Sequence, residues 1–188
     1  MNERIFFKNF WHGENIDVAY LGWEDHVEPP FPYTNYRQII YISGYLEAAR
    51  KIAVDVKNDE NLIYPVTFLY RQYIELVLKN INSQLKKPIS LKGQKAHDMK
   101  YIFDSIYDQL INRWFFEQQE LDHIRNVINE FANIDPKSSY FRYYEKIGDK
   151  GYEKTINEKM TVNVSELIKS MDEFDDILSV TYKILKGK

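Results

Sequence analysis

Tyr64-Pro-Val-Thr-Phe-Leu-Tyr-Arg-Gln-Tyr-Ile-Glu-Leu-Val-Leu-Lys79, continued by Asn80-Ile-Asn82, is the stretch on which the fold turns. Pro65 suits the first turn of a helix, where its missing N–H leaves no intrahelical bond unmade. Wound at about 100° per residue, Arg71, Asn82, Glu75, Lys79 and Gln72 share a polar strip only about 100° wide. Val66, Leu69, Tyr70, Tyr73, Ile74, Leu76, Val77, Leu78 and Ile81 fill an apolar arc of roughly 200°, twice the stripe of an ordinary surface helix. Such a helix belongs at the centre of a bundle. Its polar strip is then either a sliver of surface or the wall of a cleft. On a surface, Arg71 and Glu75 at i, i+4 form a pair of small energetic value. In a cleft, Glu75 would hold the planar Arg71 guanidinium towards a phosphate or carboxylate, with Lys79 as a second cation and Gln72 orienting the pair.

Working outward, the apolar residues keep helical spacing on both sides. Thr34 is a good N-cap for a helix from Asn35 to about Val56, with Ile39, Ile42, Tyr45, Leu46, Ala49, Ile52, Ala53 and Val56 on one face. The central helix runs to about Leu85, and Pro88 and Gly93 mark the loop beyond it. His97-Asp98 opens a third helix to about Leu110, and a fourth spans about Phe116 to Asn133 before Asp135-Pro136 stops it. Gly148 and Gly151, between β-prone aromatic stretches, suggest a small hairpin. Asn163-Val-Ser-Glu166 has the form of a capping box for a last helix to about Leu185. The fold class expected is an all-α antiparallel bundle of about five helices, residues 34–188, with a small β-hairpin or loop insertion before the last helix. Residues 1–33 carry Glu28-Pro-Pro-Phe-Pro32 and read as an irregular, aromatic, acidic arm.

Composition narrows the function. There is no cysteine, which excludes disulfides, thiolate zinc sites and cysteine nucleophiles. No histidine pair has metal-ligand spacing, so neither a metal nor a cofactor is expected. No apolar run is long enough to span a membrane, and Met1 to Phe10 lacks a secretory leader's apolar core, so a cytoplasmic protein without membrane partners is expected. The net charge of −3 hides a basic stretch at 86–100, where Lys86, Lys87, Lys92, Lys95 and Lys100 face Asp98 alone. Aromatics make up 15% of the chain and cluster in the arm, in its junction with the first helix, and around Arg142.

Two more constellations carry candidate chemistry. In Asp135-Pro-Lys-Ser-Ser-Tyr-Phe-Arg142-Tyr-Tyr144 the Asp–Pro corner and the flanking aromatics would fix where the Arg142 guanidinium points, with Asp135, Ser138 and Tyr143 orienting it. Alternatively the segment is a tyrosine-rich plug closing the bundle. His97 precedes the N-cap Asp98 and is either a neutral side chain at the helix start or a base or phosphate contact, with Asp98 as an orienting residue. His123, mid-helix beside Leu121 and Ile124, reads as structural. No phosphate-cradling glycine loop, nucleophile elbow or dinucleotide fingerprint is present.

Residues 64–79, His97-Asp98-Met99 and Asp135-Pro-Lys-Ser-Ser-Tyr-Phe-Arg-Tyr143 together resemble a group of uncharacterised bacterial helical proteins similar to the HEPN superfamily. The resemblance covers about residues 36–185. It implies an all-α bundle, often a homodimer, in toxin–antitoxin or anti-phage systems, with RNA and an antitoxin or other protein as partners. Active members cut RNA with an Arg and a His separated by four to six residues, a pair this chain lacks. Gln72 stands where the resembling group has histidine, and Tyr144 where it has proline. The resemblance therefore bears on fold more than on chemistry.

Two functions follow as expectations. In the first, Arg71, Glu75, His97 and Arg142 converge on one polar cleft that binds RNA or a nucleotide phosphate through Arg71, Lys79 and Arg142, with ribonuclease activity as its extension. In the second, the chain is a non-catalytic interaction or dimerisation module.

Overall fold

Five helices carry the described residues of the computed structural model, which are 36–114, 116–136, 139–148, 151–156 and 159–183. They are α1 (Tyr36–Ala53), α2 (Ile63–Gln84), α3 (Met99–Trp114), α4 (Gln118–Ile134) and α5 (Val164–Lys183). A two-stranded antiparallel hairpin, β1 (Glu145–Gly148) and β2 (Gly151–Lys154), precedes α5. The arm at 1–33, the Thr34 cap and Ser138 lie outside the described residues. Among the described residues no helix is long and apolar enough to cross a membrane.

The wide apolar arc puts α2 at the centre, packed on α1, α3 and α5, while α4 joins α3 to α5. Val66, Tyr70, Tyr73, Ile74, Val77, Leu78 and Ile81 of α2 are all fully buried. They meet Ile42, Leu46 and Ala49 of α1, Ile102, Phe103 and Ile106 of α3, Leu121 and Ile124 of α4, and Met171, Phe174 and Leu178 of α5 in one core. Tyr73 and Phe174 pack edge to face with ring centres 6.0 Å apart, a favoured aromatic geometry.

Local chemistry sets the ends. α1 stops at Ala53, short of the expected Val56, because Asp55 and Val56 donate to Ile52 and Ala53 in tight turns; Val56 stays buried in the turn itself. Asn82 accepts from the Ile89 N–H at 2.9 Å and donates to the Ile89 carbonyl at 3.1 Å, which folds the lysine-bearing loop back on α2. Asp98 caps α3 as expected, its Oδ1 accepting from the Tyr101 N–H at 2.9 Å. α4 begins at Gln118 rather than Phe116: Glu117 and Glu120 form a reciprocal capping box, with buried Phe116 and Leu121 at the positions of a hydrophobic staple. Asn163 accepts from the Glu166 N–H at 3.3 Å to start α5. His123 is structural as read, its Nε2 lying 3.1 Å from the Ser170 carbonyl across the α4–α5 contact. In the hairpin, Gly151 at φ 116° takes a backbone conformation that other residues avoid.

Candidate functional site

The candidate residues fall into two groups rather than one cleft. The first is a buried ionic network on the polar strip of α2. Arg71 and Glu75 are each only 1% exposed, so their part of the strip is neither surface nor the wall of an open cleft. The Arg71 guanidinium donates from Nη1 to Glu75 Oε2 at 3.1 Å, from Nη2 to the His97 carbonyl at 3.0 Å, and from Nε to the Asp135 carbonyl at 3.2 Å. Asp135 Oδ2 lies 3.7 Å from the same Nε. Glu75 Oε1 accepts from Lys79 Nζ at 2.6 Å and meets His97 Nδ1 at 2.9 Å. One guanidinium thus ties α2 to the turn before α3 and to the end of α4.

This arrangement answers a physical demand. A buried charge is tolerable only when it is paired and its hydrogen-bonding capacity is used. Burial works against a charged Glu75, but the hydrogen bond and charge of Lys79, then the bonds from His97 and Arg71, outweigh it and hold its pKa below the usual glutamate value. With three partners and no exposed face, Arg71 has nothing to offer an external phosphate. Lys79 is likewise committed to Glu75. His97 differs: its side chain is 58% exposed and held at Nδ1 by a carboxylate, leaving Nε2 without a hydrogen bond among the described residues. A half-exposed imidazole oriented by a carboxylate is the arrangement of a general acid–base group. Gln72 is half-buried and makes no hydrogen bond in the network, so its expected orienting role has no support there.

The second group surrounds Arg142. This residue is exposed, and its guanidinium carbon lies 5.8 Å from the centre of the Phe68 ring and 5.4 Å from that of Tyr143. Two cation–π contacts of this length orient the cation without neutralising it, and no carboxylate pairs with it among the described residues. It lines a cavity of about 530 Å³ with Tyr64, Tyr140, Tyr143, Tyr144, Lys159 and Met160. Neither Arg71 nor His97 lines that cavity, so the expected single cleft holding Arg71, His97 and Arg142 is not formed there. Buried Thr155 ties the loop shut: its hydroxyl donates to the Tyr143 carbonyl at 2.6 Å and its N–H to the Tyr144 carbonyl at 3.0 Å. The loop starts from Asp135, whose Oδ1 accepts from the Ser139 N–H at 2.8 Å.

Sequence reading found Arg142, Tyr143 and Asp135, but missed Phe68, Tyr64, Lys159 and Thr155. Phe68 had a usable signal, since on the α2 wheel it falls at about 60°, inside the polar strip. Thr155 had none. A second, partly buried polar cluster was also missed. Arg50 Nε donates to Asp172 Oδ1 at 2.7 Å, Arg50 Nη2 lies 3.5 Å from Asp175 Oδ2, and the Tyr73 hydroxyl donates to Asp175 Oδ1 at 2.8 Å. Asp175, next to Phe174 on the inward side of α5, was the available clue.

Tyr70 lies beside this cluster, fully buried, with no hydrogen-bond partner for its hydroxyl among the described residues. Burial pushes its pKa up to about 12, the Asp172 charge adds to the rise, and Arg50 opposes it. Removing a buried hydroxyl that makes no bond recovers its desolvation penalty. Tyr70→Phe is therefore expected to raise the urea midpoint, by about 1 kcal/mol of stability, at unchanged slope. A destabilised Phe variant would show that the hydroxyl contributes a bond.

Comparison with protein-family models, with curated proteins and with solved structures gave no match to this chain.

Proposed function

We propose that this chain binds RNA or a nucleotide through the aromatic groove at Arg142, as an HEPN-like component of a bacterial defence or toxin–antitoxin system. The observation that carries this reading is the Arg142 guanidinium, unpaired by any described carboxylate, near two aromatic rings and lining a tyrosine-rich cavity. A guanidinium so placed suits a phosphate, to which it can donate two parallel bonds. The exposed rings of Tyr64, Tyr143 and Tyr144 offer stacking faces to bases without regard to sequence. Lys159 adds charge on the same wall. The cavity volume is within the range of ordinary ligand sites.

Cleavage, in this reading, falls to His97, which lies outside the Arg142 cavity, so it requires an RNA long enough to reach both groups. Its Nδ1 contact with Glu75 favours one orientation and leaves Nε2 to exchange a proton with a ribose hydroxyl. Arg71 and Glu75 support that imidazole and do not touch substrate.

Fluorescence anisotropy with a labelled single-stranded RNA, competed by nucleoside monophosphates, tests binding. Arg142→Ala is expected to weaken it about 10- to 100-fold, the value of one charge-assisted contact. Equal affinity for wild type and variant would refute the reading. Incubation with total RNA then separates binding from catalysis: His97→Ala should abolish cleavage and leave affinity unchanged.

A further inference from the structure

A second cavity, of about 320 Å³, adjoins the Arg142 cavity and shares Thr67, Ile134, Phe141 and Val162 with it. The two differ in charge. Among the described residues, Arg142 and Lys159 line the first with no acidic residue, whereas Glu130 and Glu166 line the second with no lysine or arginine. A phosphate therefore has one place along the pair of cavities, and a group rich in hydrogen-bond donors has the other. The second wall also suits a flat ring, with Phe131, Phe141, Leu167 and Met171 in it. Phe131 and Phe141 pack edge to face with centres 6.4 Å apart, and Phe141 is only half-buried.

Most polar groups of this wall are already committed. His123 meets the Ser170 carbonyl, and the Thr67 hydroxyl donates to the Ile63 carbonyl at 2.7 Å. Asn163 Oδ1 accepts from the Glu166 N–H, which leaves the Asn163 amide N–H groups as donors. The Glu166 carboxylate is different. Residues 163–166 have the form of a capping box, but no bond returns from the Asn163 N–H to Glu166 among the described residues, whereas the box of α4 has both. The next cation along α5, Lys169, turns to Glu173 at 4.0 Å. Glu166 is thus left facing the cavity as an uncommitted acceptor.

We infer that the second cavity is a base subsite that selects guanine, an inference that rests on the Arg142 reading for its phosphate. Guanine alone presents two adjacent donors, N1–H and the N2 amino group, and a carboxylate accepts both in parallel. Adenine and cytosine set a lone pair beside their amino group, and that lone pair repels a carboxylate. Uracil has a single N–H between two carbonyls. Glu166 therefore reads the donor edge of guanine, and the Asn163 amide donates to the neighbouring O6. The ring lies on Phe141, as unstacked bases lie on aromatic side chains, and the phosphate reaches Arg142, the next residue in the chain.

Base preference is the test, read by anisotropy with two labelled oligouridines, one with a central guanosine and one with a central adenosine, and by competition with GMP and AMP. The guanosine oligonucleotide should bind about 10- to 100-fold more tightly, the discrimination of one bidentate pair. Glu166→Gln should reverse the preference, because an amide accepts from the adenine amino group and donates to the lone pair beside it. A reversal of that kind cannot come from damaged folding, which would weaken both. Arg142→Ala should weaken both oligonucleotides by the same factor and keep the preference. GMP displacing the label better than AMP supports a free guanine nucleotide as ligand, and preference confined to the oligonucleotides supports guanosine within RNA. Equal affinity of wild type for the two oligonucleotides overturns the inference, as does a preference that Glu166→Gln leaves unchanged. Either result leaves the Arg142 reading standing if Arg142→Ala still weakens both. An Arg142→Ala variant that binds both like wild type removes that reading and the subsite with it.

Discussion

Glu75→Ala is expected to cost about 3–5 kcal/mol, much of the margin by which a domain of this size is folded. The reason lies in what stays behind. Lys79 and His97 are partly exposed and can turn to water, but Arg71 is buried and cannot. It would keep two carbonyl acceptors and the Asp135 carboxylate at 3.7 Å, with one arm unpaired. Glu75→Gln should cost clearly less, since an amide oxygen still accepts from Nη1 in the same volume. Comparison of the two separates the charge from the shape.

The same residue predicts a pH dependence whose sign is fixed. The folded Glu75 pKa lies below its ordinary value of 4.5, so the unfolded chain binds its proton first as pH falls. Its stabilisation is fully present above that value and is lost as pH drops through the depressed folded one. Urea unfolding at pH 7 and pH 4 should show a larger loss for wild type than for Glu75→Gln. Equal losses would mean that Glu75 is not held charged by the network.

The reach of the sequence in this chain can be seen residue by residue. Period is local information, so the wide apolar arc of α2 and its central place could be read directly. The fate of the polar strip depended on partners 26 and 64 residues away, and two of those partners are backbone carbonyls, which carry no residue signature. Arg71 and Glu75 were therefore recognisable as a pair while their burial was not. The converse holds for Arg142. Its loop and flanking aromatics were conspicuous, yet its second ring comes from Phe68 on another element, and its closure from a single threonine after the hairpin. Ionic and aromatic residues could be identified in sequence; which of them are satisfied by distant backbone could not.

Asp135→Ala should strike both sites at once, with a stability loss of about 2–4 kcal/mol. Asp135 is completely buried and serves in two directions. Its carboxylate faces Arg71 Nε, and its Oδ1 holds the Ser139 N–H that begins the loop to Arg142. Alanine removes a counter-charge from a buried guanidinium and frees the turn that aims the groove's cation. Asp135→Asn distinguishes the two effects. An amide oxygen still accepts from Ser139, so the turn and RNA affinity should survive, while the lost charge beside Arg71 should still lower the urea midpoint. Affinity in Asp135→Ala is expected to fall about 10-fold at a temperature where circular dichroism shows it folded, because Arg142 then spends less time in its place along the cavity. If Asp135→Ala binds RNA as wild type does, the turn is not what positions Arg142, and the buried network stabilises the bundle without shaping its groove.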